Sequence, residues 1–496
     1  LSMGIQVDQV TGYLKTGNMA RAVEALAQFW DRFHAAEGFV ERMHSLGWDF
    51  VVREQYETAL GIYQDLKQQY PDHDRAPWFQ RSIVQTYLAM GDADRIAEAV
   101  AELKTNYTDH PDYSRQMEIT AQRLRGGHVY GPAIALYDSL LTAAPESEKA
   151  VFLQRSKVQC LLEAGDMPGA RDALAGLSAY ANRPGYVRQV HELGWEFSTR
   201  GDYETALGIY QDLKQQYPDH DRAPWFQRSV IQLYLDKQEE VKLAEAVEQM
   251  KTRFRNHPDY VAQMEIVADR LMGGGQFDLA QDVCETLLEQ YPEHGRDLWI
   301  LQKQIRADLG RGDFAAADAG MDQLRRQYAG RRDYHDVLSW AAYEYRSAGR
   351  YGAAIGMYED LYALQPDKRV QLRCDEGIAR CYVRLGDDAK VEEQIQRIYT
   401  RYYDENPDGV AFYIHGIGEE YCKIAKNEMN PHAAFDAYTR AIEILETAIP
   451  TISNNHYRCM CYYTAGLCYW YTENWFASAN AMLEGIAADP QFEWAG

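Results

Sequence analysis

Apolar side chains recur at Tyr56, Ala59, Leu60, Tyr63, Leu66 and Tyr70. Steps of three and four put them on one face of an amphipathic helix, with the charged and amide residues between them on the other. Pro71 ends that helix, because proline has no amide hydrogen to donate and its ring crowds the preceding turn. Pro77 falls in the first turn of a second helix, where the missing donor breaks no helical bond, and Trp78 and Phe79 open a second apolar face. The stretch therefore reads helix, turn, helix. Its residues from Tyr56 to Ser82 recur unchanged from Tyr203 to Ser229, 147 residues later.

That copy is four steps of a shorter period. The turn between the two helices falls at Gly17, Glu54, Gly91, His128, Gly165, Gly201, Gln238, Gly275, Gly312, Gly349 and Gly386, a step of 37 residues with a single step of 36 between Gly165 and Gly201. Alternate units resemble each other more than neighbours do. One type ends at Tyr70-Pro71, Ala144-Pro145, Tyr217-Pro218, Tyr291-Pro292 and Gln365-Pro366; the other tends to end as Pro111-Asp112-Tyr113 and Pro258-Asp259-Tyr260 do.

Within each step, a small residue and an aromatic in the first helix precede an aromatic, an alanine, an aromatic and a proline in and after the second. Gly47, Phe50, Tyr56, Ala59, Tyr63 and Pro71 fill these places. Gly194, Phe197, Tyr203, Ala206, Tyr210 and Pro218 repeat them, as do Ala342, Tyr345, Tyr351, Ala354, Tyr358 and Pro366. The pattern resembles the tetratricopeptide repeat (TPR), with a longer step and with Leu66, Leu213 and Leu361 where a second alanine is usual. The resemblance implies an all-α, right-handed α-solenoid, a superhelix of about thirteen antiparallel helix pairs. The expected organisation is a regular array over 1–409 and irregular, capping helix pairs over 410–496, with the segment AKNEMNPH (425–432) read as an enlarged turn.

Composition narrows the function. Seventy-four acidic against 51 basic residues give a net charge of −23, which disfavours binding to duplex nucleic acid. No run approaches the roughly 20 apolar residues of a membrane span. The first residues, LSMGIQVDQVTGYL, lack the basic and apolar regions of a signal peptide, so a cytoplasmic location is expected. Of the eight cysteines, Cys461 and Cys468 share a helix face while Cys459 points away. Cys374 and Cys381 repeat that placement in their own unit, as packing residues do, so no metal and no cofactor is expected. His110-Pro111-Asp112 and His257-Pro258-Asp259 sit in equivalent turns and read as helix starts. No nucleophile elbow, zincin pair or P-loop occurs, and the chain is expected not to be an enzyme.

One recurring face remains. Arg81 with Gln85, Arg155 with Gln159, and Arg228 with Gln232 stand four residues apart, so each pair leaves its helix on the same side. His44 with Trp48 and His191 with Trp195 hold corresponding places in the other unit type. The family resemblance implies that first helices line the concave wall. There, this ladder of donors is expected to grip a protein or peptide partner, such as an extended acidic or C-terminal segment. The alternative is a sensor or regulatory repeat region whose effector lies outside this chain.

Overall fold

The computed structural model describes residues 2–291 and 295–491. Among them no β-strand forms, and 26 α-helices follow one another along the chain, the all-α class expected from the 3.6-residue spacing. The chain divides into two compact units, Leu1–Lys237 and Gln238–Gly496. Within each, a helix packs on its neighbours in sequence, and the first helix of a pair also packs on the first helix of the next. In the first unit Phe39–Val51 is followed in this way by Ala76–Met90 and Tyr113–Gly126. The first helices thus form one continuous wall in each unit.

The predicted apolar face of Tyr56–Gln69 is the buried one. Ala59, Leu60, Tyr63 and Leu66 are buried, and Tyr56 and Tyr70 are half-buried at its ends. The small residue of the repeat has a steric cause. A Cβ on Gly47 would lie 2.6 Å from Cε1 of Tyr63, and one on Gly194 would lie 2.6 Å from Cε1 of Tyr210. The Tyr-Pro turn also has a cause, since its tyrosine ties one pair to the pair before it. The Tyr70 hydroxyl donates to the carbonyl of His34 at 2.6 Å, Tyr217 to Ala181 at 2.8 Å, and Tyr291 to Arg255 at 2.5 Å.

All eleven turn positions read from the period have positive φ, between 57° and 82°. Eight are glycines, but Glu54, His128 and Gln238 adopt the left-handed conformation at 57–61° with a Cβ in place, as does Glu473 in the last pair. A β-carbon there crowds the following carbonyl at a cost of about 1–2 kcal/mol. Replacing Glu54 or His128 by Gly is expected to raise stability by about 1 kcal/mol per site, since relief of that strain exceeds the added freedom of the unfolded glycine. Urea unfolding of each variant against the parent measures it.

The single 36-residue step also has a local origin. Met167–Ala175 gives way to a 3₁₀ turn over Gly176–Tyr180, and the tighter helix rises about 2.0 Å per residue instead of 1.5 Å, so fewer residues cover the same length. One expectation is corrected. The segment 425–432 is not an enlarged turn, because the helix Pro407–Asn427 runs through its first three residues and Pro431–Ala448 takes its last two. Ala425 is buried on the first of these helices, Asn430 caps the second through the His432 amide, and Pro431 starts it without losing a bond. Helices from Lys368–Leu385 onward are mostly longer than the 13–15 residues usual before them.

Candidate functional site

On the first-helix wall of the first unit, the candidate residues are joined to partners one pair away. Nε2 of His44 lies 2.8 Å from Oγ of Ser82, and Nε2 of His191 lies 3.1 Å from Oγ of Ser229. Burial, reinforced by Arg81 and Arg75, pushes the His44 pKa down to about 4. Burial with Arg222 and Arg228 does the same for His191. Both rings are therefore neutral at physiological pH and serve as links between repeats.

The three arginines differ. Arg81 is half-buried, its guanidinium 4.9 Å from the Trp78 ring, and Nη1 donates to Oε1 of Gln116 at 2.7 Å. Among the described residues no carboxylate lies within ion-pair distance of it. Burial, with Arg123 next, pushes its pKa down. Arg155 donates to Gln189 at 2.8 Å and also meets Glu192 at 3.0 Å and Glu196 at 3.8 Å, so its charge is already balanced. Arg228 lies 5.0 Å from the Trp225 ring.

Of the amides, Gln159 is buried, accepts from Arg125 at 2.8 Å and donates to Glu196, whereas Gln232 donates to Asp236 on its own helix at 2.6 Å. Gln85 is half-buried. Trp48 and Trp195 stand out from this network, 46% and 54% exposed. Tyr343 holds the equivalent register in the second unit, one residue after Ala342 as Trp48 follows Gly47, and is 51% exposed.

The histidine turns are structural. Nδ1 of His110 accepts from the Asp112 amide at 3.1 Å, and Nδ1 of His257 from the Asp259 amide at 3.1 Å. His73 and His220 accept in the same way from Arg75 and Arg222, each at 3.0 Å. All eight cysteines are buried and unbridged. Among the described residues no group of three or more His, Cys, Asp or Glu is placed to hold a metal ion.

The sequence reading missed a cavity of about 560 Å³ in the second unit, on the wall made by the first helices Tyr334–Ser347, Lys368–Leu385, Pro407–Asn427 and Asn455–Tyr471. Ser339, Trp340, Tyr343 and Arg346 line it at helical spacing from the first of these, Arg373 and Arg380 from the second, and Phe412 and Gly416 from the third. Tyr343, at the Trp48 register, was the available signal. At the register of Arg228 and Gln232, four steps of the period on, stand Glu376 and Arg380, so the basic ladder does not continue.

Residues 188–220 match a family model described as tetratricopeptide repeat, a stretch that takes in most of the helix Tyr186–Thr199 and all of Tyr203–Gln216. No curated protein sequence matches the chain. Among solved structures, the chain is similar to that of Naa15/Naa10 bound to HypK-THB, with 17% identity, a TM-score of 0.37, and 91% of this chain and 64% of that one covered. This chain thus spans less than two thirds of that one. A tetratricopeptide repeat protein from Parabacteroides merdae is similar at 17% identity and a TM-score of 0.30, over 53% of this chain and 96% of that one. At such scores neither likeness extends to function. Among the described residues no helix is long and apolar enough to cross a membrane.

Proposed function

We propose, for a chain that belongs to the tetratricopeptide-repeat family, the role of a non-catalytic interaction scaffold whose first-helix wall holds a protein or peptide partner. The observation that carries this reading is the pair Trp48 and Trp195. Two large aromatics at the same register, about half exposed, stand on a wall whose histidines and Arg155 are already tied within the chain. Exposed aromatics at repeated spacing are natural anchors for a partner. Arg81, which has a neutral hydrogen-bond partner and a stacked indole but no ion-paired carboxylate among the described residues, supports an acidic or C-terminal segment as the ligand. In this reading Arg228 with Gln232, Arg155, and Gln85 belong to the same surface, with Gln159 buried beneath it.

Selection from a random peptide display library against the full chain tests the reading. The expected outcome is enrichment of peptides rich in Asp and Glu, or with a free carboxyl end beside an apolar residue. Their affinity should fall as salt is raised. The variant Trp48→Ala/Trp195→Ala should lose most of the binding, and the triple replacement of Arg81, Arg155 and Arg228 by Gln should remove the salt dependence. Enrichment of neutral or basic peptides, or binding indifferent to both variants, overturns it.

A further inference from the structure

We propose that the cavity in the second unit is a ligand site for a carboxylate carried on an aromatic body. Its volume, about 560 Å³, lies within the roughly 300–1,000 Å³ typical of sites for compact organic ligands. Arg346 lines it with Nη1 shielded from solvent and without a hydrogen-bond partner. Among the described residues no carboxylate is within ion-pair distance of this guanidinium. Its guanidinium thus lacks the charge-assisted bond that a ligand carboxylate in the cavity would supply. Arg380 on the neighbouring helix is fully engaged by Glu376 at 2.8 Å and Glu420 at 2.7 Å. In a chain with 74 acidic residues, pairing Arg346 required only one more well-placed carboxylate.

Arg373, seven residues before Arg380, donates to the neutral Ser339 hydroxyl at 3.1 Å and supplies a second guanidinium. The same cavity has apolar lining. Tyr343 is 51% exposed, with the Arg346 guanidinium 5.3 Å from its ring, and Phe412 is 45% exposed. A bare anion does not need such a wall, and a purely apolar ligand does not need an unpaired arginine. Asp336, Glu376 and Glu419 also line the cavity, and their like charge favours a monoanion over a dianion such as phosphate. Gly416 keeps the space open, since a Cβ there would already stand 3.2 Å from Oε1 of Glu376.

The carboxylate has two conceivable sources, a free aromatic acid or the last residue of a polypeptide, and titration calorimetry on the full chain separates them. 3-Phenylpropionate and the tripeptide Gly-Gly-Phe are the probes, each against its amide, with inorganic phosphate as competitor. At least one acid is expected to bind saturably, its amide at least tenfold more weakly, and phosphate is expected not to compete. Tighter binding of the tripeptide identifies a polypeptide end, and tighter binding of phenylpropionate a free acid. Arg346→Gln should weaken the binding at least tenfold, and Gly416→Leu should abolish it, with circular dichroism unchanged in both. Where either variant fails to fold, Arg373→Gln takes its place with the same expectation. Absence of saturable binding of both acids, equal binding of acid and amide, or binding unchanged in the folded variants overturns the proposal.

Discussion

Tyr63→Ala is expected to lower the stability of the repeats around it by about 3–5 kcal/mol, and Tyr210→Ala to do the same in the copied unit. Both rings are fully enclosed, and each lies edge-on against the helix backbone at a glycine, Gly47 or Gly194. Removing the ring deletes its buried area and leaves a void, and regular helices held by packing on both sides close only part of it. Because a repeat array is stabilised mainly between neighbours, the loss should be local. Hydrogen exchange should accelerate across Phe39–Val51 and Tyr56–Gln69 before it does in distant pairs. Urea unfolding with exchange mapping measures both. A loss within about 0.5 kcal/mol, the range of exposed positions, would show that the ring does not carry the packing.

Arg380→Met should be comparably damaging in the second unit. Arg380 holds Glu376 at 2.8 Å and Glu420 at 2.7 Å, Arg384 adds a contact to Glu420 at 2.5 Å, and the side chains of Arg380, Glu376 and Glu420 are each less than one fifth exposed. Withdrawing the shared cation leaves shielded carboxylates without their main partner, a change that costs about 3–5 kcal/mol in buried ion pairs.

The pH dependence gives a second readout. Burial alone pushes the Glu420 carboxyl up, but Arg380 and Arg384 outweigh it and hold the group below its usual range. A carboxylate with a depressed folded pKa stabilises the protein fully above the unfolded value, about 4.3, and that contribution is lost as pH falls through the folded value. In the variant most of this contribution is already missing. The difference in urea midpoint between parent and variant should therefore be large at pH 7 and shrink as pH falls below about 4. Adding Glu420→Gln should recover part of the loss at pH 7. A difference independent of pH would show that Arg380 acts through packing alone.

The period, the helix pairs and the turns were legible in the sequence. These depend on interactions within a single step: apolar spacing selects the buried face, Pro71 and Pro77 bound the helices, and a left-handed turn is needed wherever one helix folds back on another. Even Glu54, His128 and Gln238, which lack glycine's freedom, were located by the period alone, since the step requires a turn there whatever the residue. The sequence also picked out Trp48 and Trp195 as a repeated pair, although their exposure is a property of the packed wall.

What the other candidates do emerges from the packing of one repeat on the next. His44 bonds to Ser82, Arg81 to Gln116 and Arg155 to Gln189, partners 34–38 residues away. A contact at that distance depends on how far one pair shifts and turns against the next, which the spacing within a pair does not encode. The same holds for the cavity around Arg346. Its walls come from four first helices and Tyr358 of a second helix, and whether a guanidinium there meets a carboxylate or an empty space is set by the stacking of longer helices that break the 37-residue register.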